Sequence, residues 1–192
     1  AGHAKDIENC YATGTIEITG AAVSYAGGIV GVSSGVVKGC YSTVKIIADS
    51  DSNTAKSSGI VGATYIVRNC VALNSELNAE TAKRIFCQEL STKENNYALQ
   101  SMKVNGAEVT TDKGASELNG ADLIIKDGKL YKDDGTEFTW SGFDRNIWTL
   151  PTEKGELPRL KYSSKVSLNL NEQAQTEVRV NTDPQSYDYI GF

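Results

Sequence analysis

The chain has 192 residues, with 19 Lys and Arg against 24 Asp and Glu (net charge −5), 40% hydrophobic residues, 18 Gly and 3 Pro. That mixture fits a folded soluble protein of one domain, or one domain with a small appendage, and excludes a disordered tail, a collagen and a nucleic-acid-binding surface. No apolar run approaches the roughly 20 residues that cross a bilayer, and the single histidine, His3, removes the parts for triads and zincin-type metal sites.

The sequence opens on Ala-Gly-His with no signal-peptide pattern and is already patterned by Asp6, as expected of a mature fragment or an excised domain. Cys10, Ala12, Gly14, Ile16 and Ile18 then share one parity, as a strand with one buried face requires. Gly27-Gly-Ile-Val-Gly31 is short, apolar and bracketed by glycines, which predicts a buried strand between tight turns.

The first block then returns. Ile7-Glu-Asn-Cys-Tyr-Ala-Thr13 recurs as Val37-Lys-Gly-Cys-Tyr-Ser-Thr43 and Val67-Arg-Asn-Cys-Val-Ala-Leu73, with the cysteines 30 residues apart. Asn95-Asn-Tyr-Ala-Leu99 is an eroded fourth copy with Asn96 in the cysteine slot. The second block recurs as Gly59-Ile-Val-Gly62 and, more loosely, as Arg84-Ile-Phe-Cys87. Cys40, Ser42, Val44, Ile46 and Ala48 repeat the parity of the first copy. By propensity Ala79–Leu90 could form a short helix, but the register of Ile85 with Ile29 and Ile60 favours a degenerate coil. Two strand blocks per ~30 residues predict an all-β fold. Its architecture is a right-handed parallel β-helix, or solenoid, of three to four coils with ladders about 4.8 Å apart.

Gly27-Gly-Ile-Val-Gly31 followed by Gly35-Val-Val-Lys-Gly-Cys-Tyr-Ser-Thr43 resembles the GLUG motif, a repeat of surface proteins and adhesins of gut-type anaerobic bacteria. Asn95-Asn-Tyr-Ala98, Gly142-Phe-Asp144, Ile147-Trp148 and Leu157-Pro-Arg-Leu160 resemble the segment that closes such repeats, so the likeness spans roughly residues 7–161. The third copy departs from it, with Val71 for the tyrosine and Arg84 and Cys87 for the two glycines. The resemblance implies a solenoid displayed extracellularly at a bacterial cell surface, and it implies no catalytic residues.

From residue 105 glycine turns (Asn105-Gly106, Asn119-Gly120, Asp127-Gly128, Asp134-Gly135) alternate with short apolar stretches, and Lys126-Asp-Gly-Lys129 predicts a tight hairpin. Trp140, Phe143 and Trp148 supply an aromatic payload suited to covering the open end of a solenoid. The division expected is therefore 1–104 repeats, 105–161 hairpin-rich C-terminal cap, and 162–192 terminal hairpin or start of a following module. Val166-Ser-Leu-Asn-Leu170 and Glu177-Val-Arg-Val180 would be strands of that last part.

Candidate sites are few. The spacing of Cys10, Cys40, Cys70 and Cys87 lacks the C-x-x-C of a metal cluster, and stacked parallel Cβ vectors fit a disulfide poorly, so buried free thiols are expected. Asp49-Ser-Asp-Ser-Asn53 has the first ligands of a calcium loop but Thr54 and Ile60 where its glycine and glutamate belong. A solvated loop is the simpler reading and a looser calcium site the alternative. Ser42-Thr-Val-Lys45 has the spacing of serine acylases without their other motifs. Tyr11, Tyr41 and Tyr97 follow the cysteine slot, on the opposite parity, and are the candidate ligand-facing aromatics; a structural ladder shielded by loops is the competing account. Tyr25, Tyr65 and Asp49 to Lys56 fall in loops between blocks, where solenoids vary their binding surface.

The function expected is a non-enzymatic surface module for adhesion or ligand binding, with no cofactor and no metal, whose partner is a host or bacterial surface glycan or protein. The alternatives are a polysaccharide-active β-helix enzyme fragment, working through carboxylates, Lys, Arg or Tyr, and a structural spacer for another domain.

Overall fold

The computed structural model describes residues 2–18, 24–48, 55–87 and 92–161. The Asp49–Asn53 loop and the two strands expected within 162–192 lie outside the described residues. Within them the protein is all-β, and no helix is long and apolar enough to cross a membrane.

Strands of two to four residues follow one another in a cycle, and each pairs in parallel with its counterpart one repeat later. His3 pairs with Val32, Ile7 with Val37, Tyr11 with Tyr41, Thr15 with Lys45 and Tyr25 with Lys56. Row one thus runs from His3 to Gly27 and row two from Val30 to Ser58. Row three runs from Val61 to Lys83. Row four is shorter and less regular, from a single bridge at Phe86 to Val104.

The repeat predicts this register correctly. Val71 pairs with both Tyr41 and Tyr97, which places Asn96 in the cysteine slot. Ile60 donates its N–H to the Ile85 carbonyl and Val61 bridges Phe86, so Arg84–Cys87 continues the second block. The degenerate coil, rather than a helix, accounts for Ala79–Cys87; Thr81–Lys83 is a strand paired with Lys56–Ser58.

Two local devices hold the rows at this pitch. The residue before the cysteine slot turns the chain in the left-handed region in every row: Asn9 (φ 55°), Gly39 (61°), Asn69 (54°) and Asn95 (53°). Glycine, and after it asparagine and aspartate, adopt that conformation at least cost, which explains the choice of glycine or asparagine. The second device is the column Gly28, Gly59, Arg84. A Cβ at Gly28 would collide with the Ser42 hydroxyl and the Gly59 carbonyl of the next row. Among the described residues row four is followed by no further row of the same kind, and there the column tolerates Arg84.

The core lies between the strands: Ile29, Ile60 and Ile85 form one buried column, Val37 and Val67 another, Cys40 and Cys70 a third, and Ile46 and Leu77 a fourth. Burying such side chains contributes roughly 1.5–3 kcal/mol each.

After row four the pairing changes hand. Ala107–Glu108 folds back antiparallel on Lys103–Val104 through Asn105-Gly106, both at positive φ. Ala121–Lys126 adds in parallel to Tyr97–Leu99 and then turns through Asp127 (φ 50°) and Gly128 (φ 74°) into the antiparallel strand Lys129–Lys132. Two consecutive positive φ values define a type I′ turn, as Asp-Gly predicts.

The aromatic segment lies elsewhere than expected. Trp140, Phe143 and Trp148 do not cover the end of the stack; they run back along its flank, from row four to row one. Phe138 meets Tyr97 (ring centroids 4.8 Å), Trp140 and Phe143 meet Tyr41 (5.9 and 6.3 Å), and Trp148 reaches Tyr11 (6.2 Å). The end of the stack is closed instead by residues 105–132 and by Arg84.

Candidate ligand cleft

The tyrosine column is the floor on which this flank is built. Tyr11 and Tyr41 stack at 5.3 Å with their rings 8° apart, as parallel pairing of adjacent rows dictates. Row three carries Val71 here, and the space that a tyrosine would fill is bridged by Trp140, 5.2 Å from Phe138 and 5.9 Å from Tyr41.

Tyr41 therefore presents no ring face to a ligand: it is 0% exposed, and its hydroxyl donates to the Pro158 carbonyl at 2.7 Å. Burial raises its pKa, with the neighbouring Tyr11 adding to the rise. Tyr11 and Tyr97 are half-buried, beneath Trp148 and Phe138. Alternation placed all three on the outer face; the return segment, distant in sequence, then covers that face.

Above this layer the return segment, the hairpin 121–132 and the flank of rows three and four enclose a cleft of about 820 Å³. Its floor is apolar, with Leu73, Leu99, Phe138, Trp140, Trp148 and Leu157. Its rim is polar and charged, with Lys129, Glu137, Arg145, Glu153, Glu156 and Lys161. An apolar floor with a few converging polar groups is the usual make-up of a small-ligand site. Tyr11, Tyr41 and Tyr97 do not line it, but all three support rings that do.

Trp140 sits at φ 55°, a left-handed conformation costing a bulky residue on the order of 1–2 kcal/mol. Its edge-to-face contact with Phe143 (5.1 Å) and those with Phe138 and Tyr41 hold it there. Strain of this kind is often concentrated at binding sites.

Two of the rim carboxylates have structural duties. Glu137 takes Lys129 Nζ with both oxygens at 2.9 Å. Glu156 Oε2 accepts the backbone N–H of Thr152 (3.2 Å) and Glu153 (3.3 Å), which shapes the loop at the cleft mouth. Arg145, Glu153 and Lys161 are exposed.

A second polar centre closes the stack beyond row three. Arg84, 0% exposed, donates Nε to the Asn119 carbonyl (3.0 Å), Nη2 to the Gly120 carbonyl (2.9 Å) and Nη1 to Asp122 Oδ1 (2.8 Å). Lys113 takes the other Asp122 oxygen. Burial works to raise the pKa of Asp122, but Lys113 and Arg84 outweigh it and hold the carboxyl below the ordinary carboxylate range. Burial lowers the Arg84 pKa, against the opposing pull of Asp122. Nη1 also donates to the Leu99 carbonyl (3.3 Å), and with Nε and both terminal nitrogens bonded the centre is a structural plug.

The four cysteines are free thiols, Cys40 and Cys70 buried and Cys10 and Cys87 half-buried. Cys10, Cys40 and Cys70 each donate Sγ–H to the carbonyl two residues earlier, at 3.2–3.3 Å. The hydrogen bond with Cys40, and then burial, raise the Cys10 pKa; burial lifts Cys87 to about 12. Among the described residues no group of three His, Cys, Asp or Glu side chains stands close enough to hold a metal. Lys45 of the acylase-like spacing is bound to Glu76 at 2.8 Å, while Ser42 Oγ accepts from Asn74 and from the Val44 N–H.

Sequence reasoning missed three things here: the left-handed Asn/Gly slot, the Arg84 plug and the cleft. The slot was legible, since Asn9, Gly39, Asn69 and Asn95 occupy one repeat position. The cleft had no signal of its own, because its walls come from residues 73–161 and meet only in the fold. No family model, no curated protein and no solved structure matches the chain.

Proposed function

We infer that the chain is a GLUG-type right-handed parallel β-solenoid acting as a non-enzymatic ligand-binding or adhesion module of a bacterial surface protein, with the flank cleft as its ligand site. The observation that carries this reading is the cleft itself, about 820 Å³ with Trp140 on its floor in a strained conformation. The solenoid reading is supported by the parallel pairing of strands some 30 residues apart. The surface location follows from the resemblance of the repeat and its closing segment to GLUG proteins.

A polysaccharide-active enzyme is the second reading, favoured by the three carboxylates on the rim. A glycosidase needs two carboxyl groups aimed at one bond. With Glu137 held by Lys129 and Glu156 holding its loop, binding is the better reading.

Glycan-array binding run beside a reducing-end release assay tests this. The expected result is retention of a glycan without release, abolished by Arg145→Ala at unchanged thermal stability. Release of reducing sugar overturns the binding reading in favour of the enzyme. Silence in both assays favours the structural spacer.

A further inference from the structure

We propose that the outward edge of row one is a docking surface for one further row of the same repeat, which adds in parallel register ahead of His3. Row one is unfinished in a way that rows two and three are not. Its core positions Ile7, Cys10, Ala12 and Ile16 are half-buried, whereas their register counterparts Val37, Cys40, Ser42 and Ile46 are each 0% exposed. One more row over the first would give the same burial.

The backbone agrees. Tyr41, Thr43 and Lys45 donate their N–H groups to the carbonyls of Cys10, Ala12 and Gly14, and Val71 and Leu73 donate to Cys40 and Ser42. By that register the N–H groups of Tyr11, Thr13 and Thr15 point out of row one, away from row two. Among the described residues all five strands of row one are terminal in their sheets. An edge of free N–H groups is a template for another strand.

The occupant follows from the opposite end of the stack, where the antiparallel strands Ala107–Glu108 and Lys129–Lys132 and the Arg84–Asp122 plug close the rows. A second copy has no matching parallel row to offer there, so head-to-tail stacking of copies lacks its complementary face. A single row does fit. Glu8 lies 4.0 Å from Lys38 and Tyr11 stacks on Tyr41, so the edge suits a row with a basic residue and a tyrosine in those slots. Residues 31–61 carry both, as Lys38 and Tyr41.

The test is an extended protein in which a copy of residues 31–61 runs directly into Gly2, compared with the unextended chain by residue-resolved hydrogen exchange and thermal unfolding. The expected result is that exchange at Tyr11, Thr13 and Thr15 slows about a hundredfold, toward the rates of Tyr41 and Thr43, and that the midpoint rises. A control extension with the copied Val37→Asp and Ile46→Asp gives neither effect. Unchanged exchange at the three amides in the extended protein overturns the proposal. So does an unextended chain that sediments as a dimer with those amides already protected, because a second copy is then the occupant.

Discussion

Trp148 donates its indole N–H to the side-chain carbonyl of Asn9 at 3.0 Å, joining residues 139 apart in the chain. The bond ties the end of the return segment to the left-handed turn of row one. Trp148 is 1% exposed and touches Tyr11, Tyr41 and Phe143, so ring burial and the hydrogen bond can be separated by substitution. Trp148→Phe is expected to cost about 1 kcal/mol for the lost bond, and Trp148→Ala about 3–5 kcal/mol. Urea unfolding checks both; equal losses would mean that the bond to Asn9 contributes most of the effect.

The Arg84 plug predicts a specific acid sensitivity. Arg84→Ala leaves Asp122 buried without its guanidinium and is expected to destabilise by about 3–5 kcal/mol. The folded-state pKa of Asp122 is depressed, so its stabilisation is present above the unfolded value of about 3.9 and is lost as pH falls through the folded value. Stability measured from pH 6 to pH 2 should fall over that range in the native chain, and Asp122→Asn should flatten this part of the profile.

Tyr41 titrates the other way. Its folded-state pKa is raised by burial, so the neutral ring stabilises the fold fully below the unfolded value of about 10, and that contribution is lost as pH rises beyond it. Ultraviolet titration of phenolate should show Tyr41 ionising only with alkaline unfolding. Tyr41→Phe, which leaves the Pro158 carbonyl without its donor, is expected to cost about 1–3 kcal/mol.

Two glycines are required for different reasons. At Gly39 the demand is backbone conformation: φ is 61°, and an added Cβ would meet only Asn9 Oδ1 at 3.2 Å and the Gly142 carbonyl at 3.8 Å. Gly39→Asn should be tolerated, as Asn9 and Asn69 are, whereas Gly39→Val should cost about 2 kcal/mol. At Gly28 the demand is space, and Gly28→Ala should cost about 1–3 kcal/mol through overpacking against the next row. Paired thermal melts distinguish the two, with asparagine acceptable at position 39 and alanine unacceptable at position 28.

Much of the row structure was legible because it is periodic. Slots 10, 40, 70 and 96, and blocks 28–31, 59–62 and 84–87, come from self-similarity, and the observed register joins the same positions. The Asp127-Gly128 hairpin was equally readable, since its turn type depends on two adjacent residues. Less of the candidate site was legible. Alternation correctly set Tyr41 opposite Cys40, but alternation says only which face a side chain is on, and nothing about what later covers that face.

The amino-acid sequence alone determined the all-β class, the repeat length, the register and the tight hairpin at Asp127-Gly128, since each follows from contacts between neighbours or from a period repeated along the chain. Only the tertiary structure decided that residues 138–148 return along the flank, that Tyr41 is buried, that Arg84 plugs the stack and that a cleft opens between residues 73 and 161. Those features depend on where distant apolar surface finds the most area to bury. That competition is settled across the whole molecule, and no local pattern records its outcome.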